Sequence, residues 1–153
     1  MSEQADSDRA SADRTYPDRP YLAVSAAIIR DGRVLVVRRA RAPAHNIFTL
    51  PGGVVEAGET LKAAVIREIR EETALEIEPV ALAGHREFIQ RDESGRIKRH
   101  FVILAFAARW LGGEPVLSEE LGEARWIEPA ELAGLRTTDG LAEIIALAYE
   151  RLG

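Results

Sequence analysis

Glu59, Arg67, Glu68, Glu71 and Glu72 fall within one short stretch, directly after the turn Pro51-Gly52-Gly53. On a helix, Glu68, Glu71 and Glu72 stand at i, i+3 and i+4, so their carboxylates gather on one side. Like charges so placed repel by roughly 0.2–0.5 kcal/mol per pair. A cation seated among them removes that cost, and hard carboxylate oxygens suit Mg2+ or Mn2+. Such an ion lets an acidic protein bind a phosphorylated substrate by neutralising charge locally. Upstream, Arg38, Arg39 and Arg41 form a basic run. Either they hold phosphate, which guanidinium forks fit, or they are a solvated strand end.

The elements that must present these residues follow from the flanking pattern. Leu22–Arg30 and Arg33–Arg39 read as strands joined by Asp31-Gly32, a two-residue hairpin signal. Arg41–Asn46 reads as a loop broken by Pro43, and Ile47–Leu50 as a short strand entering the glycine turn. Thr60 is the expected N-cap of a helix over Leu61–Thr73, whose apolar Leu61, Ala64, Val65 and Ile69 make one stripe. Glu68 and Glu72 project beside that stripe, at the rim of the core.

Val80–Gln90 and Ile97–Trp110 read as long strands around an Asp92–Gly95 turn, and Ala124–Ile127 as a short one. Pro129–Leu135 suggests a helical turn and Gly140–Leu152 a closing amphipathic helix. Phe88, Phe101, Phe106 and Trp110 read as core, with one aromatic left to stack on a base. His45, His85 and His100 make no metal-spacing motif and read as surface or packing residues. Residues 1–19 read as a disordered or loosely docked arm. Residues 20–153 form one domain, an α/β or α+β sandwich with helices on both faces.

The 153 residues are enough to bury a real core, and 46% hydrophobic with 29% charged is ordinary for a soluble protein. With no cysteine, disulfides, thiolate metal sites and cysteine nucleophiles are excluded. The formal net charge of −5 argues against a nonspecific nucleic-acid binder. No apolar run approaches the roughly 20 residues of a membrane span, and no secretory signal is legible at the start. The expectation is a soluble, cytoplasmic protein. Oligomeric state is not legible, a homodimer being the commonest symmetric assembly.

The run Gly53-x5-Glu59-x7-Arg67-Glu68-Ile69-x-Glu71-Glu72-x-Ala74-Leu75 resembles the Nudix box, G-x5-E-x7-R-E-U-x-E-E-x-G-U with U aliphatic. The leading hairpin, the Phe-Thr-Leu-Pro-Gly-Gly entry and the late Glu-Ala-Arg-Trp-Ile segment are also similar to small bacterial members of that family. The resemblance implies an α/β/α sandwich with a central mixed sheet. It also implies metal-dependent hydrolysis, by water attack at phosphorus, of a phosphoanhydride in a nucleoside diphosphate linked to another moiety. ADP-ribose-like compounds and nucleoside triphosphates both fit that class.

Carried over by position, Glu71 and Glu72 would be direct metal ligands, with Glu68 as ligand or water-activating base. The Gly52 carbonyl resembles a main-chain ligand. Gly53, Glu59 and Arg67 would brace the loop against the helix. Glu120, with Glu119 and Glu123 as close rivals, would supply a further acid. The downstream proline that marks ADP-ribose hydrolases is absent, its neighbourhood being Gln90-Arg91-Asp92. Ala74 replaces the box glycine. A left-handed helix end costs a non-glycine residue roughly 1–2 kcal/mol, so the helix either ends differently or carries modest strain. The alternative function is a non-catalytic nucleotide or ADP-ribose sensor on the same fold.

Overall fold

The computed structural model describes residues 14–41 and 46–153, so Pro43, His45 and most of the N-terminal arm lie outside the described residues. Strands β1 (Tyr21–Arg30) and β2 (Arg33–Arg39) pair antiparallel, with Arg30 opposite Arg33. Asp31 and Gly32 between them have φ of 51° and 78°, the left-handed pair that a tight primed turn requires. The chain continues through β3 (Phe48–Thr49) and β4 (Gly52–Val54) into helix α1 (Leu61–Thr73). Strands β5 (Glu76–Arg91), β6 (Ile97–Gly112) and β7 (Leu121–Ile127) follow, then a 3-10 turn (Pro129–Gly134) and helix α2 (Leu141–Leu152).

The described strands form one sheet in the order β3-β2-β1-β6-β5, with β4 also on β1 and β7 also on β2. Only β1 and β6 run parallel, from Tyr21 opposite Phe101 to Ile29 opposite Arg109; the other pairs are antiparallel. The sheet is therefore mixed. Alternate residues of β1 face opposite sides, which gives the fold two cores. Val24, Ala26 and Ile28 pack with Ala64, Val65 and Ile69 of α1, while Ala27 packs with Ile144, Ile145 and Ala148 of α2. This is the α/β/α arrangement expected.

Several boundaries differ from the sequence reading: β6 runs on to Gly112, and β7 begins at Leu121, three residues before Ala124. The segment expected as a glycine turn forms the short strand β4, since two glycines carry no side-chain pattern to reveal a strand. Strand β5 begins at Glu76 instead of Val80; Pro79 is tolerated inside it because β5 is an edge strand with a register shift between Pro79 and Ala81.

Helix α1 is fixed at both ends. The Thr60 hydroxyl accepts the Ala63 N–H at 3.1 Å. Ala74 ends it left-handed, at φ 62° and ψ 14°, with its N–H donated to the Arg70 carbonyl. The chain thus carries the strain instead of ending the helix another way. The carbonyls of Glu72 and Thr73 accept the N–H groups of Ser118 and Val116 at 3.0 and 2.9 Å, which lays the strand-connecting segment against the end of α1. Tyr16 docks on the β5–β6 turn, its N–H on the Lys98 carbonyl and its hydroxyl on Asp92 at 2.9 Å. Among the described residues no helix is long and apolar enough to cross a membrane.

Candidate active site

A cavity of about 1070 Å3 opens between the second half of α1, the glycine turn and the α2-facing side of the sheet. Gly52, Gly53, Glu68, Glu71 and Glu72 line one end of it, joined by Arg39, Arg41, Glu119 and Glu120. The box residues therefore converge on a cleft.

Glu72 is the most buried of the acids, its side chain 4% exposed. One oxygen accepts the Gly52 N–H at 2.9 Å and the other the Arg39 guanidinium at 2.5 Å. Arg39 reaches the Gly52 carbonyl as well, at 3.4 Å. Burial pushes the Glu72 carboxyl up, opposed by Arg39 and the Gly52 N–H, while the charge of Glu120 adds to the rise. Gly52 has no room for a side chain, since a Cβ there would stand 2.0 Å from the Val24 carbonyl oxygen.

Arg67 organises the rest. Its Nε and one terminal nitrogen grip both oxygens of Glu59 at 2.6 and 2.9 Å, a bidentate fork tying the loop to the helix. The same terminal nitrogen donates to the Val54 carbonyl at 3.0 Å. The other donates to Glu68 Oε1 at 2.8 Å and to Glu71 at 3.2 Å. Arg67 consequently holds the carboxyl of Glu59 below its usual range, and its own pKa is raised. For Glu68 burial wins over Arg67, so its carboxyl is raised. Its Oε2 lies over Gly53, where a Cβ would come within 2.2 Å. Glu71 is the outermost acid, 58% exposed.

Among the described residues no three acidic or histidine side chains yet enclose a common point tightly enough to hold a cation by themselves. Their oxygens are turned to arginines instead. The donor set nevertheless fits a hard divalent ion: three carboxylates and the Gly52 carbonyl, with a positive group already seated between Glu72 and that carbonyl.

The other sequence candidates separate. Arg39 and Arg41 line the cavity, but Arg38 does not. A register shift between Arg38 and Arg39 lays the Arg38 guanidinium over Gly122 and beside Glu123, at 3.5 Å, so its placement gives no support to a substrate contact. Glu119 and Glu120 reach the cavity; Glu123 instead pairs with Arg38 and Arg125.

At the far end the reading from sequence needs correction. Phe106 is buried and Trp110 packs against the core, whereas Phe88 and Phe101 are half-buried and line the cavity. Arg86 lines it too and was not among the residues singled out from sequence. The one available signal was alternation: Arg86 and Phe88 are two apart on β5, hence on one face.

A NUDIX domain family model matches residues 19–148. The chain is similar to an ADP-ribose pyrophosphatase of Methanocaldococcus jannaschii, 36% identical over 109 residues that cover 71% of this chain and 62% of that protein. The match thus spans less than two thirds of that relative. A MutT-like protein of Streptomyces ambofaciens is 31% identical over 134 residues, 87% of this chain and 77% of the relative. Among solved structures, a MutT NUDIX hydrolase from Burkholderia pseudomallei superposes with a TM-score of 0.73 at 30% identity, covering 85% of this chain and 98% of the other.

Proposed function

The chain belongs to the Nudix family, whose domain spans residues 19–148, and from that premise we propose that it hydrolyses a phosphoanhydride bond in a nucleoside diphosphate derivative, using Mg2+ or Mn2+ held by Glu68, Glu71, Glu72 and the Gly52 carbonyl. The observation that carries this reading is the buried Glu72 carboxylate, which shares the Arg39 guanidinium with the Gly52 carbonyl in a cleft. Bound there, a divalent ion supplies neutralisation of the charge on the phosphoryl oxygens, the main requirement of phosphoryl-transfer catalysis.

The chain's own residues do the remainder. Glu72 is fixed by the Gly52 N–H and keeps its orientation when Arg39 leaves. Arg39 and Arg41 then face the substrate phosphates with bidentate donors. Glu68 Oε2, the oxygen that Arg67 does not hold, accepts the proton of the attacking water. Burial raises this carboxyl, which brings it nearer the working pH of a general base. Glu59 and Arg67 hold the helix and loop in register. Glu120 adds negative charge beside Glu72. The setting proposed is the cytoplasm.

Incubation with Mg2+ and a panel of nucleoside diphosphate derivatives and nucleoside triphosphates, with product analysis, tests the reading. Turnover that needs the metal and falls at least a thousandfold in Glu72→Gln is expected. One observation favours the rival sensor: both Glu72 oxygens are already satisfied by the protein. Tight nucleotide binding without turnover of any compound would select it.

A further inference from the structure

The cavity has two chemically different ends. Opposite the carboxylates, the α2-facing side of the sheet presents two rows of side chains. Tyr21, Phe101 and Phe88 lie side by side across β1, β6 and β5, and Val54, Ala23, Ile103 and Arg86 do so across β4, β1, β6 and β5. Residues paired in this way share a face. Phe88, Phe101 and Ile103 are half-buried, leaving an apolar floor open to the cavity.

Arg86 stands on that floor in an unusual state. Its guanidinium is half-buried and stacks 5.6 Å from the Phe88 ring. It donates a hydrogen bond to no described residue, and Asp139 is the one opposite charge acting on it. Partial burial lowers its pKa, opposed by the charge of Asp139. Its donors are not taken up by described residues, so the acceptors of a ligand in the cavity can bind them. Three strand spacings of about 4.8 Å, or about 14 Å in all, separate Val54 of the glycine turn from Arg86. An extended nucleotide with its phosphates at the acidic end places its base there.

We infer that Phe88, Phe101 and Arg86 form the base subsite, and that it selects a purine with two adjacent acceptors on one edge: guanine over adenine. An arginine fork carries donors only. Guanine offers O6 and N7 together as acceptors, whereas adenine replaces O6 with an amino donor that opposes the fork. The aromatic floor supplies stacking that any purine accepts. Phosphate placement in this inference rests on the hydrolase reading; base selection rests on Arg86 alone.

Dissociation constants for GMP and AMP, neither of which contains an anhydride to be cleaved, test it by isothermal titration in the presence of Mg2+. The native protein should bind GMP about tenfold tighter or more. Arg86→Ala should bring the two together, and Arg86→Gln should turn the preference toward AMP, since an amide matches the N6 and N7 edge of adenine. Circular dichroism of both variants checks folding, and the Gln variant keeps the inference open to refutation should Ala perturb the sheet. Equal affinities in the native protein, absence of binding, or a ratio that neither variant moves would overturn the assignment. Base discrimination without turnover of any guanine nucleotide derivative would remove the hydrolase reading and keep the subsite. Turnover without discrimination would do the opposite.

Discussion

Arg39 and Glu72, 33 residues apart in sequence, meet at 2.5 Å, and the same guanidinium touches the Gly52 carbonyl at 3.4 Å. A protein cation therefore sits between two of the groups assigned to a divalent ion. Removing one member of a buried pair strands the other, a loss of roughly 3–5 kcal/mol when both are fully buried. Arg39 is 27% exposed, which reduces the figure to about 2 kcal/mol. Arg39→Ala should accordingly unfold more easily in EDTA, and Mg2+ should raise its melting temperature more than it raises that of the native protein. An equal Mg2+ shift in the two proteins would show that arginine and metal do not share the site.

The two glycines of the turn predict opposite outcomes. A Cβ at Gly52 meets backbone, the Val24 carbonyl oxygen at 2.0 Å and Ser25 Cα at 2.7 Å. Gly52→Ala should lose on the order of 3 kcal/mol or more in urea unfolding. The atoms nearest a Cβ at Gly53 belong to the Glu68 carboxylate, Oε2 at 2.2 Å. That head can swing, so Gly53→Ala should keep stability within about 1 kcal/mol and lower hydrolysis at least tenfold. Undiminished hydrolysis in a folded Gly53→Ala protein would take Glu68 out of the reaction.

Ala74 holds φ 62° at the helix end, where glycine is free of strain. Ala74→Gly should gain about 0.5–1 kcal/mol, the relief of strain less the greater freedom of an unfolded glycine. Chemical denaturation reads this directly. A loss of stability would mean that packing of the Ala74 methyl outweighs its backbone. The rate should not change.

Docking of the N-terminal segment should depend on pH through Asp92. Hydrogen bonds from the Ser94 hydroxyl first, then from the Tyr16 hydroxyl and two backbone N–H groups, hold its carboxyl down to about 2. An unfolded aspartate titrates near about 3.9. The folded value is the lower one, so the stabilisation is complete above pH ~4 and is lost as pH falls toward about 2. Amide exchange at Tyr16, whose N–H is bonded to Lys98, should accelerate across that window in the native protein. In Asp92→Asn the window should vanish; an identical pH profile in both would show that Asp92 does not anchor the segment.

Local chemistry made much of this legible. The Asp31-Gly32 turn, the Thr60 cap and the Leu61–Thr73 periodicity depend on neighbours within a few residues, and each formed where the pattern put it. The spacing of Glu68, Glu71 and Glu72 likewise needs only a helix to bring them together. Strand β4 was hidden because Gly52 and Gly53 have no side chains from which to read a period; its existence depends on β1 lying alongside.

By itself, then, the chain's order of residues carried the resemblance to the family in its box motif, and it determined the start of the first helix and the acid-bearing face, because a cap and a repeat of 3.6 residues set those two. Tertiary structure decided which of the three neighbouring arginines enter the cleft, Arg39 and Arg41 lining it while a register shift accompanies the turning of Arg38 to Glu123. It also decided that Phe88 and Phe101 floor a cavity and that Arg86 stands over the Phe88 ring. Those outcomes follow from pairing across strands far apart in sequence, where alternation gives two faces and only the assembled layers say which one is covered.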